Sequence, residues 1–202
     1  MKFFFRVVNP IKLILTLVFF GLITQNSLAE VSGNYSAIIV PDDDSKLATV
    51  YWSTRISTDI KAPAKDVWPT LSGLSLEIQS KWNPTVVKVE RISGEPGKVG
   101  EVVRNTKNTG QAPFYMRVVR LQPPTERVLY LWDDKQSLLN SFINHSLSES
   151  NGITTFTHLG NYVSRMPMAA AEEFAKSINS GSLDGYFKHG MELLKADVEK
   201  QR

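Results

Sequence analysis

LLNSFINHSLSES-NG-ITTFTHLGNYV, residues 138–163, reads as two strand-rich runs joined by the dipeptide Asn151-Gly152. Both residues tolerate the positive φ of a type I′ turn, so this is the chain's strongest hairpin signal. With Asn151 and Gly152 at the turn, Ser150 pairs with Ile153, paired positions sum to 303, and His145 stands opposite His158. Facing residues of an antiparallel pair have Cβ atoms about 5 Å apart, so the two imidazoles are predicted to meet. The phase that carries them also carries Leu139, Ile143, Leu147, Phe156 and Tyr162. The other phase mixes Leu138, Phe142, Leu159 and Val163 with Asn140, Asn144, Thr155, Thr157 and Asn161. The more apolar phase faces the core, which places both histidines inward.

Around the hairpin, the spacing predicts further strands near 85–93, 99–106, 112–122 and 126–133, with the hairpin arms at 137–149 and 153–163. Gly94-Glu95-Pro96-Gly97, Asn108-Thr109-Gly110, Pro123-Pro124 and Asp133-Asp134 supply the separating turns. Upstream, Trp52, Thr54, Ile56, Thr58 and Ile60 alternate with polar residues, giving a half-buried strand from Ala48. Pro63 suits the first turn of a helix that carries Val67, Trp68 and Leu71 on one side. Gly73 interrupts that helix, and a second short one runs from Leu74 to Trp82 before Pro84. At the other end, Pro167 to Ile178 reads as helical. After a break at Asn179–Ser182, Leu183, Tyr186, Phe187, Met191, Leu194 and Val198 recur at helical spacing. One strand, two short helices, six strands and a terminal amphipathic helix make an α+β domain with a seven-stranded antiparallel sheet. The long C-terminal helix then lays its apolar stripe across the concave face, leaving a cavity wherever inward side chains are small or polar.

The chain has 202 residues, 23 Lys+Arg, 20 Asp+Glu and no cysteine. Lys2, Arg6 and Lys12 lie in residues 1–29, which hold no acid, so residues 30–202 carry 20 basic and 20 acidic groups. That balance argues against nucleic acid as a partner, since phosphate binding needs a basic surplus on one face. Residues 1–29 have the layout of a secretory signal: a basic start, an apolar run Leu13–Ile23, and Ser27-Leu28-Ala29 for cleavage. The expected product is periplasmic or secreted and meets a membrane only through that segment or transiently during ligand exchange. Residues 30–47 read as a flexible acidic linker. Asp42-Asp43-Asp44 fails as a calcium loop because its sixth and twelfth places are Leu47 and Ser53. The working domain is therefore expected over 48–202.

The segments Ile60–Trp68, Trp82-Asn83-Pro84, Gly94–Gly100 and Gly190–Lys195 resemble, in this order, the START-like (SRPBCC, helix-grip) superfamily and its polyketide cyclase/dehydrase-like proteins. The likeness spans residues 49–199. It implies the helix-grip fold and a cavity for a hydrophobic small molecule, with no fixed catalytic set and no cofactor. It also implies that Gly160 and Tyr162 face the cavity, and that Lys81 lies where hormone-receptor relatives hold a ligand carboxylate.

Gly-x-Ser-x-Gly, His-Glu-x-x-His, a phosphate-cradling Gly-rich loop and a cysteine nucleophile are absent from the sequence. The candidate ligand contacts are His145, His158, Phe156, Tyr162, Lys81, Trp82, Arg117 (with Tyr115 on its strand face) and Tyr186. The histidines could hydrogen-bond a head group, satisfy each other, or act as an acid/base pair in a cyclase, dehydratase or hydrolase. A metal is not expected: it needs another ligand, and the remaining histidine, His189, sits on the terminal helix. The function expected is an exported binding protein for a lipid- or polyketide-like molecule. Exchange is expected through the 178–183 region, with a hinge at Gly181, and through the loops at Gly94–Gly100 and Gly110.

Overall fold

The computed structural model describes residues 31–43, 46–135 and 137–200. The expected signal segment lies outside them. The described chain forms β1 (Ser32–Pro41), β2 (Leu47–Ile60), α1 (Ala64–Val67), α2 (Pro69–Ser72), α3 (Leu76–Trp82), β3 (Val86–Ser93), β4 (Val102–Lys107) and β5 (Phe114–Gln122). It continues through β6 (Glu126–Asp133), β7 (Leu138–Ser150), β8 (Ile153–Pro167), α4 (Met168–Asn179) and α5 (Asp184–Lys200). All eight strands join one antiparallel sheet in the order β1-β2-β8-β7-β6-β5-β4-β3. The α+β helix-grip architecture is as expected, with one strand more than the seven read from the sequence. Among the described residues, no helix is long and apolar enough to cross a membrane.

The extra strand corrects the linker reading of 30–47. β1 pairs residue for residue with β2, from Ser32 opposite Ser57 to Pro41 opposite Ala48. Its inward phase, Tyr35, Ala37 and Ile39, packs against the core, whereas Ile38 and Val40 on the other phase are exposed. Only the turn after β1 is acidic. There Asp42 accepts a hydrogen bond from Arg165 Nε at 2.8 Å, so its charge is satisfied within the fold. The free edge of β1 is partly closed by Asn179 at the end of α4. Its Oδ1 accepts from the Ala37 amide at 2.8 Å and its Nδ2 donates to the Ala37 carbonyl at 3.3 Å. One amide side chain thus imitates a neighbouring strand at an edge that would otherwise template pairing.

Two local signals hold α1 and α3 in place. Pro63 occupies the extended position before α1, and the Ala64 amide donates to Glu149 Oε2 of β7 at 2.8 Å. Ser75 caps α3 by accepting from the Ile78 amide. The core has three parts. Ile56, Ile60, Leu71 and Phe156 pack against Phe187, Met191, Leu194 and Val198 of α5. Leu74, Val103, Met116, Val118, Leu129, Leu131, Ile143 and Tyr162 form a second cluster over the β4–β8 half of the sheet. Ala48, Val50, Ala171 and Ala175 seat α4 on β2. Trp52 touches all three clusters, and the space between them remains open.

Candidate functional site

The hairpin has the predicted geometry. Asn151 and Gly152 take φ of 53° and 73°, and the register runs Ser150 to Ile153 through His145 to His158. Both histidines point inward and are buried, at 4% and 3% exposure. Further along, β7 carries a bulge between Leu139 and Phe142, with Asn140 at φ 33°. The Val163 amide there donates to Ser141 Oγ at 3.0 Å, which replaces the interrupted ladder bond.

Four side chains form a continuous hydrogen-bonded row across β6, β7 and β8. Arg127 Nη2 lies 2.9 Å from His145 Nδ1, His145 Nε2 lies 2.9 Å from His158 Nδ1, and His158 Nε2 lies 3.3 Å from Tyr162 Oη. A guanidinium can only donate, so His145 Nδ1 must accept and its proton sits on Nε2. His145 therefore donates to His158, and His158 in turn donates from Nε2 to the Tyr162 oxygen. The row has one polarity, fixed by its first member. Protonating either imidazole would set donor against donor. Burial, followed by the Arg127 charge, pushes the His158 pKa down to about 3. The same two causes, with His158 as a third, hold His145 well below the ordinary histidine range. Both rings are therefore neutral at physiological pH. Arg127 is itself lowered to about 10 by burial, against the attraction of Glu101, and stays charged.

Tyr162 reaches His158 because Gly160 lies beneath it. A Cβ at Gly160 would stand 2.2 Å from Tyr162 Cε2 and 2.6 Å from its Oη. On its other side the phenol ring stacks on Trp52, with centroids 4.0 Å apart and planes inclined by 15°. Trp52 Nε1 is anchored to Ser164 Oγ at 3.1 Å. Phe156 and Phe187 pack on the imidazoles, each with ring centroids 5.3 Å away.

Above the row lies a cavity of about 510 Å³. Arg127, His145, His158 and Tyr162 contribute to its inner end, and its walls are largely apolar: Trp52, Phe114, Met116, Leu129, Leu131, Leu138, Ile143, Phe174 and Phe187. Lining residues that reach solvent, Gln111, Lys135 and Ser137, mark its opening between the β4–β5 and β6–β7 loops, beside Asn83 and Lys107. Asp133 holds the second loop in place by accepting from the Ser137 and Leu138 amides at 2.9 and 3.0 Å. The loop that follows Gly110 thus borders the opening through Gln111 and Ala112. Gly94–Gly100 and the turn at Gly181 (φ 74°) do not line the cavity.

The structure brings His145, His158 and Tyr162 together, and places Phe156 behind the imidazoles rather than on the cavity wall. Lys81 is not at the cavity: its ammonium pairs with Asp197 of α5 and Glu77, tying α3 to the terminal helix. Arg117 alternates out of phase with buried Met116 and Val118, so it is exposed on the convex face. Tyr115 shares that face, where it stacks on Trp132 and donates to Asp134 Oδ2 at 2.9 Å. His189 is exposed on α5, and among the described residues no group of three metal-ligating side chains forms. The side chains of Trp82 and Tyr186 lie outside the described residues. Sequence reasoning missed Arg127. Its signal was present, since Arg127 occupies the phase of β6 shared by Leu129, Leu131 and Asp133, and a cation on an apolar inward phase is informative.

The fold is shared with solved structures of low sequence identity. The Zhui aromatase/cyclase from Streptomyces sp. R1128 aligns with a TM-score of 0.59 at 15% identity, covering 75% of this chain and 95% of that one. Norcoclaurine synthase from Thalictrum flavum, in complex with dopamine and hydroxybenzaldehyde, aligns at 0.55 and 12%, covering 76% and 90%. Ara h 8.0201 aligns at 0.52 and 13%, covering 74% and 99%. A search of the curated proteins returns no match. The sequence profile described as polyketide cyclase / dehydrase and lipid transport matches residues 51–199, which run from within β2 into α5. The chain belongs to that family.

Proposed function

We propose that this protein is an exported carrier that holds a hydrophobic or amphipathic small molecule, lipid- or polyketide-like, in the cavity between sheet and terminal helix. The observation that supports it most is the composition of the cavity: a largely apolar wall with a hydrogen-bonded row from Arg127 to Tyr162 at its inner end, apart from the polar residues Gln111, Lys135 and Ser137 at its opening. Such a chamber favours a ligand with a long apolar part, each buried methylene contributing about 0.8 kcal/mol, and the row fixes its orientation. Exchange proceeds through the opening beside Gln111 and Lys135. Export rests on the layout of residues 1–29.

An enzymatic reading has one observation in its favour, the continuous row from Arg127 to Tyr162. A general acid or base works best with a pKa near the operating pH, and an imidazole held at about 3 is a weak base that does not reach its acidic imidazolium form at neutrality. The row is better suited to hold a ligand than to transfer its protons.

Filling the chamber tests the carrier reading. Leu129→Trp places an indole in the cavity from a fixed strand, and the neutral probe N-phenyl-1-naphthylamine reports occupancy by its fluorescence. Saturable binding to the wild type, lost in a variant that retains its far-UV circular dichroism, is the expected outcome. Probe binding unaffected by the substitution would overturn it.

A further inference from the structure

We propose that the inner end of the cavity takes a compact monoanion, the carboxylate of an otherwise apolar acid, with Arg127 as its counter-ion. This rests on the carrier reading above and narrows its ligand to one chemical class.

Arg127 carries a buried charge that no side chain among the described residues neutralises at close range. Arg127 lines the cavity at 1% exposure. Nη1 donates to the Gly73 carbonyl at 3.0 Å and Nη2 to His145 Nδ1. These are neutral acceptors, and Nε is buried with no hydrogen-bond partner. Among the described residues no carboxylate lies within ion-pair distance of the guanidinium. Glu101 attracts it from farther away, but that carboxylate is already engaged, 3.6 Å from Arg91 Nε and accepting from the Gly97 amide at 2.8 Å. The two histidines are fixed as neutral by the direction of the row, so they offset none of the charge. A buried cation left in that state is strongly disfavoured until an anion joins it. The two planar edges of a carboxylate and a guanidinium match in a way that a hydroxyl or ester oxygen cannot.

Two features choose among anions and positions. A single guanidinium neutralises a single negative charge, so a phosphate dianion would leave surplus charge in an apolar chamber. The opening, by contrast, has mixed charge. Lys107, which donates to Gln111 Oε1 at 3.0 Å and lies over the Phe114 ring, and the exposed Lys135 stand there with Asp133. Water screens the charges at the opening, whereas Arg127 is buried, so a carboxylate gains more at Arg127, which sets the acid head-first with its tail along Leu129, Leu131 and Phe114.

The test titrates the full chain at pH 7.5 with decanoic acid, methyl decanoate and decan-1-ol by isothermal calorimetry. The expected result is acid affinity at least about tenfold above that of both neutral probes. Arg127→Met should abolish the advantage of the acid over the ester, while Arg127→Lys keeps the preference for acid. Equal affinity for the three probes in the wild type overturns the inference and leaves the carrier reading intact. Absence of binding by all three overturns both. The wild-type comparison decides even where Arg127→Met fails to fold. With a folded variant, an acid preference that survives Arg127→Met also overturns the assignment.

Discussion

Acid should destabilise this protein well above the pH at which its carboxylates titrate, and His145 and His158 should be the cause. An unfolded histidine takes up a proton near pH 6.5, whereas His158 in the native row does so only near pH 3. Between those values the unfolded state binds more protons, so stability is fully present above about pH 6.5 and is lost as pH falls. From pH 7 to pH 5 the loss from His158 alone is about 2 kcal/mol at 1.36 kcal/mol per decade of proton activity. His145, lowered for the same reasons, adds in the same direction. Against a total of about 5–15 kcal/mol this is a large fraction. With a urea slope of about 2 kcal/mol/M, the unfolding midpoint should fall by about 1 M or more. Keeping the range above pH 5 avoids Glu90 and Glu126, whose ion pairs lower their pKa values. The control is the double variant His145→Gln/His158→Gln, which has nothing to protonate at this site and should show a nearly flat profile. Equal midpoints for the wild type at pH 7 and pH 5 would refute the neutral, buried row.

Two further substitutions separate the site from its surroundings. Gly160→Ala should displace the Tyr162 ring, break its contact with His158 and disturb the Trp52 stack, costing about 1–3 kcal/mol; near-UV circular dichroism and chemical denaturation would report it, and an unchanged spectrum would count against the close packing. Lys81→Met should leave probe affinity unchanged and cost at most about 1 kcal/mol, because its partly exposed ion pair with Asp197 joins two helices and does not reach the cavity.

Much of the fold was legible because each signal was local. Asn151-Gly152 fixed a turn and thereby the register that sets His145 against His158, and the turn signals Pro123-Pro124 and Asp133-Asp134 bounded β6 to the residue. β1 was missed because its inward phase, Tyr35, Ala37 and Ile39, is short and beside an acidic turn, and its pairing with β2 is a tertiary fact. The site was half legible. The facing histidines and Tyr162 followed from register, but Arg127 comes from a third strand and meets them only through the order of the sheet. Lys81 and Arg117 went the other way. A cation near the right place in sequence was read as a ligand contact, whereas one is turned to α5 and the other to the convex face.

The most direct test of the carrier account is native mass spectrometry of the protein purified from its own source, before and after extraction with organic solvent. The account predicts a discrete added mass on the polypeptide that disappears on extraction. A bare polypeptide mass before extraction, unchanged after it, would contradict the account.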